Sequence, residues 1–286
     1  MLQSLANGVV LGSLFAVLAV GLTLVYGVME VPNFAHAGIV TVAAYSVYTV
    51  QRLSGSFWLG CLAGLAVAAV VSLLSELGAY RFVRDRPHAA PAVALGLLLI
   101  LDNSMLVVYG GNGQAMSPPY AAGTVRLGPV TLSAVNFAVV VLAVASIFLV
   151  SVLLTRTRVG RTIRAVAQDR EAAAILGIRV ERQYAAAFIV SGLLAGVAAI
   201  AFAPTTAVTP YMADFVILDA FVVVVLGGLG SVWGAIAGGL LLGITETVAA
   251  TYSDGAYQTV FGFAVLVVVL VVRPGGLFNT QAGRTA

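Results

Sequence analysis

An all-α, polytopic membrane protein of about eight to nine transmembrane segments is the fold class that this sequence predicts, and three observations carry the prediction. Hydrophobic residues make up 61% of the 286 and charged residues 9%, with a mean hydropathy of +1.07; a soluble domain is normally about a quarter charged. Nine stretches approach the roughly 20 apolar residues that a spanning helix needs. A single long polar segment, 155–182, interrupts them. The fourteen basic residues are all arginine and leave a net charge of +3. In so apolar a chain they report orientation in a membrane, and no nucleic-acid partner is expected. Cys61 is the only cysteine, so no internal disulfide forms, and no spaced Cys/His set offers a metal site. The N-terminus has neither a basic n-region nor a clear cleavage site and reads as a retained first span.

The apolar stretches run near 2–28, 31–50, 53–75, 91–108, 131–154, 183–203, 215–231, 233–250 and 257–272. Arg81, Arg84 and Arg86 follow the third, seven arginines follow the fifth, and Arg273 and Arg284 follow the last, whereas Arg52 and Arg126 fall on the other side. By the positive-inside tendency the larger group marks the cytoplasmic face and puts the C-terminus inside. Nine crossings then place the N-terminus outside; one re-entrant segment would reverse it.

Two junctions read as broken or re-entrant helix. The first is Val31-Pro32-Asn33-Phe34-Ala35-His36, where proline suits a helix start but interrupts a continuous one. The second, Gly227-Gly228-Leu229-Gly230-Ser231-Val232-Trp233-Gly234, is glycine-dense enough to unwind. Non-helical backbone in a bilayer is tolerated only where protein or a water-filled cavity satisfies it, and in transporters such breaks mark the pathway. Asn33, His36, Gly228, Gly230 and Ser231 are pathway candidates on that ground. The breaks lie 200 positions apart, with Val25/Val225, Gly27/Gly227, Ala35/Ala235 and Gly38/Gly238 in step, a hint of an inverted repeat.

Ionisable groups inside spans are costly and are functional hypotheses by default. Asp102, beside Asn103, falls near the middle of 91–108, and Glu246 lies in the outward half of 233–250. Each either lines a pathway or, in the plainer reading, makes a packing hydrogen bond or ion pair. The loops Tyr109–Pro129 and Pro204–Asp214 are too short for a domain and serve as connectors or as a modest platform for an external partner.

The polar segment reads TRTRVGRTIRAVAQDREAAAILGIRVER. Val159, Ile163 and Val166 recur at helical spacing. Asp169 suits the cap of a second, short helix, and Glu171 suits the positive end of its dipole. Gly177 followed by Ile178 is the chemistry of a left-handed C-cap. A helix this short does not stand alone in water, so its apolar residues Ala172 to Leu176 need something to pack against. That is either the membrane surface, with arginines against anionic lipid, or a protein partner.

Glu171-Ala172-Ala173 with Gly177 four positions on resembles the Glu-Ala-Ala-x-x-x-Gly loop of ABC importer permeases, and the run RAVAQDREAAAILGI resembles that of the branched-chain amino-acid (LivH-type) permeases. Three further stretches are similar to the same family: GLTLVYGVMEVPNFAHAG, VVLGGLGSVWGAIAGGLLLG and VVRPGGLF. Ala37 departs from it, since many members have glycine followed by a carboxylate there. The resemblance implies a single transmembrane permease domain over 1–286, in a bacterial plasma (inner) membrane, with a cytoplasmic coupling loop at 155–182. It implies that Asp169, Glu171, Ala172, Ala173 and Gly177 shape a coupling helix that docks on an ATPase. Two cytoplasmic ATPase subunits, a second permease, identical or homologous, and an external solute-binding protein are the implied partners. ATP and Mg belong to the ATPases, and no cofactor is expected on this chain. The implied solute is small and polar, a branched-chain or related amino acid. No HExxH, GxSxG or GxxxxGK[ST] is present, so the chain is not expected to be an enzyme. The rival class is an ion-coupled carrier or a passive channel, for example for urea or short amides, in which Asp102 and Glu246 bind or relay ions. A structural membrane subunit without solute flux is a third.

Overall fold

The computed structural model describes residues 1–84, 86, 88–252 and 258–278. Each of the nine apolar stretches forms a helix. In chain order they are α1 (Leu2–Met29), α2 (Ala35–Ser54), α3 (Phe57–Ser75), α5 (Ala90–Tyr109), α6 (Ala134–Arg156), α9 (Val180–Phe202), α10 (Met212–Gly227), α11 (Val232–Tyr252) and α12 (Gln258–Val272). A π-helical turn, Glu76–Tyr80, carries α3 on into a last short turn, α4 (Arg81–Val83). The polar segment supplies α7 (Arg158–Gln168) and α8 (Arg170–Ile175). Between α5 and α6 the chain makes an antiparallel hairpin, β1 (Thr124–Leu127) and β2 (Val130–Ser133), with Leu127 opposite Val130.

Six helices are long and apolar enough to cross a membrane by themselves: α1, α3 with its continuation, α5, α6, α9 and α11. The other three have physical reasons to fall short. Helix α2 is buried from Ala35 to Tyr45, so protein rather than lipid surrounds it and its own hydropathy is relaxed. Helices α10 and α12 are short, at 16 and 15 residues.

Hydrogen bonds identify the two ends of the bundle. At one end Gln3 of α1 donates to the Thr131 carbonyl (2.9 Å) and accepts from the Thr131 amide (3.1 Å). There too Tyr48 of α2 donates to Gln114 (2.8 Å), and Gln114 bridges Val208, which lies between α9 and α10. At the opposite end Arg81 and Arg84 reach Glu181 at the start of α9. Helices α1, α3, α6, α10 and α12 run from the hairpin end to the arginine end, and α2, α5, α9 and α11 return. Arg273 closes α12 at the arginine end; Arg284 lies outside the described residues.

Both predicted breaks are turns between helices, from Met29 to Ala35 and from Gly227 to Val232. Helix α1 runs unbroken to Met29 and stops at Glu30, the one non-glycine residue among those described with a left-handed backbone (φ 57°). Pro32 follows it, where proline often stands after a C-cap. The second turn lies beside the first: a methyl group on Gly27 would stand 3.7 Å from the Gly230 carbonyl oxygen. The units related by the 200-residue offset, α1–α2 and α10–α11, both descend to the arginine end and return. Their relation is thus one of the same sense rather than an inverted one.

Helix contacts are built on small residues four apart. A methyl on Gly8 would lie 2.8 Å from the Ile244 Cα, one on Gly12 2.8 Å from the Leu240 Cα, and one on Gly239 2.7 Å from the Ala16 nitrogen; Gly243 presses on the Gly12 backbone. Backbones this close gain dispersion contacts that larger side chains would forbid, the main source of helix association in lipid. Gly60 and Gly64 do the same for α3 against α2, and Gly192 and Gly196 for α9 against α3. Interhelical hydroxyls add direction: Ser72 donates to the Phe188 carbonyl (2.6 Å) and Ser191 to the Gly21 carbonyl (2.9 Å). Gly12→Val, which must push α1 away from α11, is expected to destabilise the fold by about 1–3 kcal/mol, while Gly78→Ala, in open space, is expected to be neutral. Thermal unfolding of the two purified variants in detergent measures the difference.

Candidate functional site at the arginine end

Helix α6 ends at Arg156, and Thr157 turns the chain so sharply that Gly160 packs on the backbone of Leu153 and Leu154. Helix α7 then lays Gly160, Ile163 and Val166 against the bundle and leaves Arg158, Arg161 and Arg164 exposed, as the spacing of its apolar residues predicts. Val159 is the exception, half exposed.

Helix α8 is closed at both ends by its own chemistry. The Asp169 carboxylate accepts from the amides of Glu171 and Ala172, both at 2.9 Å, satisfying two donors of the first turn. Gly177, at φ 81°, turns the chain so that its amide donates to Ala174 and the Ile178 amide to Ala173, both at 3.0 Å. This pair of bonds is a Schellman cap. Ala173 is buried under the turn, whereas Ile175 and Leu176 are 86% and 80% exposed. Six residues thus hold an apolar tip clear of the bundle, on the face that carries the arginines.

Behind α8 lies a cavity of about 450 Å3, bounded by Glu30 and Val31 after α1, by Arg84 and Tyr184, and by Asp169 and Glu171. Arg84 is its central cation. It reaches Glu181 (2.9 Å), stands 3.9 Å from the buried Glu76, and lies over the Tyr184 ring at 5.0 Å. The α1 turn is tied into the same region, because Tyr80 donates to the Asn33 side chain (2.8 Å). Sequence reasoning overlooked Glu76, Tyr80 and Tyr184, and read Arg84 only as a mark of orientation. Glu76 alone carried a local signal, as an acid continuing an apolar run.

The predicted pathway residues separate into two groups. Asn33 and His36 are fully buried; His36 Nδ1 lies 3.1 Å from the Ser191 hydroxyl, and its ring presses on Gly21. Ser231 is buried too, its hydroxyl accepting from the Gly234 amide (3.0 Å) at the start of α11, while Gly228 and Gly230 shape the turn before it with positive φ. Glu246 is enclosed between α11 and α12, where Gln258 donates to it (3.2 Å) and Gly262 gives it room. Asn33, His36, Ser231 and Glu246 are thus buried in this conformation, and Gly228 and Gly230 shape a turn. Asp102 and Asn103 differ. Helix α5 touches chiefly α2 and leaves most of its length uncovered. Midway along that apolar face Asn103 and Ser104 are exposed, bonded back to the Leu99 and Ile100 carbonyls (2.8 and 2.6 Å). Asp102 beside them is half-buried, and its Oδ1 has no hydrogen-bond partner among the described residues.

Comparison with known proteins agrees with this architecture. Residues 4–270 match the family described as the branched-chain amino acid transport system permease component. The Escherichia coli (strain K12) high-affinity branched-chain amino acid transport system permease protein LivH is 30% identical, over 97% of this chain and 95% of that one. BraD of Pseudomonas aeruginosa, a permease protein of a system of the same description, matches at the same identity and coverage. LivM, a second permease protein of the high-affinity branched-chain amino acid system in Escherichia coli K12, is 28% identical over 92% of this chain and 67% of its own length. The chain is a multi-pass membrane protein and belongs to the family of branched-chain amino-acid transport system permeases.

Proposed function

We propose that this chain is the membrane-spanning permease of an ABC importer that carries a branched-chain or related amino acid into a bacterial cell across the inner membrane. The observation that carries the reading is α8, capped at both ends and presenting Ile175 and Leu176 to solvent on the arginine face. An exposed apolar tip on a rigid two-turn element is what a cleft on a cytoplasmic ATPase requires. The solute class comes from the relatives' descriptions. Two such ATPases supply the energy and hold ATP and Mg, an external solute-binding protein delivers the solute, and this chain contributes binding and conformational change rather than catalysis. A second permease completes the route, in keeping with two permease relatives from one organism.

The exposed middle of α5 is the best-supported wall of that route. Polar groups at mid-depth are costly against lipid and are accommodated where they meet protein or a water-filled path. Asp102, Asn103 and Ser104 stand there, whereas Asn33, His36 and Ser231 do not.

Three measurements test the proposal. Reporters fused after Arg182 and at Ala286 are expected to report cytoplasm, and one at the N-terminus the outside, since twelve of the fourteen arginines fall on one side of the spans and the positive-inside tendency makes that side the inner one; opposite results for the first two would sink the orientation. Gly177→Val resists the positive φ of the cap and re-aims the chain leaving α8, and Glu171→Arg reverses a charge at its N-terminus. Both variants are expected to insert but to lose ATP-driven uptake, and uptake that survives in both, or that follows an ion gradient without the ATPases, would favour the carrier reading. With Cys61 replaced, cysteine at Asn103 is expected to react with a small polar thiol reagent in the assembled transporter, and cysteine at Asn33 or Ser231 only in a nucleotide state that opens the bundle.

A further inference from the structure

The glycine-rich turn and the C-terminal run VVRPGGLF, well separated in the sequence, meet in space. Helix α10 ends at Gly227, and a helix end leaves carbonyl oxygens without intrahelical partners. Two of these are closed from outside: the Leu277 amide donates to the Leu226 carbonyl (2.9 Å) and the Phe278 amide to the Gly227 carbonyl (3.0 Å). The approach depends on two glycines in the left-handed half of backbone space, Gly228 at φ 101° and Gly276 at φ 80°. A methyl on Gly276 would stand 2.6 Å from the Gly228 nitrogen and 2.8 Å from the Val225 oxygen, and one on Gly228 2.8 Å from the Phe278 oxygen. Pro274 follows Arg273, whose amide ends α12 on the Val269 carbonyl (2.7 Å), and the Gly276 amide donates back to Arg273 (2.9 Å). The segment is thus folded on itself and then bonded to another helix.

What it holds is not peripheral. The α10–α11 turn abuts the end of α1 through Gly230 and Gly27, and α1 runs on to Glu30 at the cavity behind α8. We propose that Pro274–Phe278 is a backbone clasp that fixes the α10–α11 turn against the end of α1, and that transport requires it because the turn moves with α1 when α8 is displaced. The second half of this statement rests on the importer reading, and the first does not.

Hydrogen exchange on the intact transporter in nanodiscs tests the clasp itself. The Leu277 and Phe278 amides are expected to exchange roughly tenfold or more slowly than an open tail; exchange at the open rate would overturn it. Gly276→Val is expected to speed exchange in 224–230 and to cut ATP-driven uptake by roughly tenfold or more while the chain still inserts. Deletion of 274–286 is expected to do the same, and deletion of 279–286, which keeps both bonds, to leave uptake intact. Faster exchange with unchanged uptake would reduce the segment to a passive cap and overturn its part in coupling. Absence of ATP-driven uptake in the unaltered transporter, with the amides protected, would instead count against the importer reading alone.

Discussion

A backbone amide or carbonyl in hydrocarbon finds no water, so every such group in the membrane must be satisfied by protein. The architecture follows from that constraint. Helices run unbroken through the depth of the bundle, and irregular backbone gathers at the two ends. Where the chain turns, side chains or other segments complete the ledger of hydrogen bonds: Asp169 at the start of α8, Ser231 at the start of α11, and the amides of Leu277 and Phe278 at the end of α10. The α1–α2 turn obeys the same rule through Glu30, whose amide donates to the Tyr26 carbonyl (2.8 Å).

The second determinant is close approach. Lipid tails are as apolar as leucine, so burial of apolar area does little to bring spanning helices together, and the contacts between backbones decide. Glycines four apart line α1 against α11, α3 against α2, and α9 against α3, which makes α1, α2 and α9 the buried centre and leaves α5 and α12 at the rim. A rim helix made only of apolar residues would be a lipid-facing one. Helix α12 nearly fits that description over Gln258–Val272, whereas α5 carries Asp102, Asn103 and Ser104 and does not.

Much of this was legible in the sequence. Hydropathy located all nine helices, arginine distribution identified their common end, and Asp169, Glu171 and Gly177 announced the caps of α8, because each of these signals is local. The two breaks were located correctly, but what they face was not legible. Proline and dense glycine say that a helix stops without saying what the turn meets, and that depends on α1 running to Met29 and α10 starting only at Met212. Distant partners were out of reach for the same reason: Tyr80 with Asn33 and Arg84 with Glu181 are 47 and 97 positions apart. The hairpin had a signal that went unread, β-branched Thr124, Val125, Val130 and Thr131 flanking a Gly128-Pro129 turn.

Because α8 is closed at both ends by groups of its own, its shape is set before anything touches it. A loop of six residues that ordered only on contact would spend part of the interaction on lost backbone freedom. Here that freedom is already gone, so a partner that covered Ile175 and Leu176 would displace a stiff body rather than fold a soft one. On the importer reading proposed above, the short helix works as a stiff element, and α7, which packs on both α8 and α1, is the solid path between its tip and the end of α1.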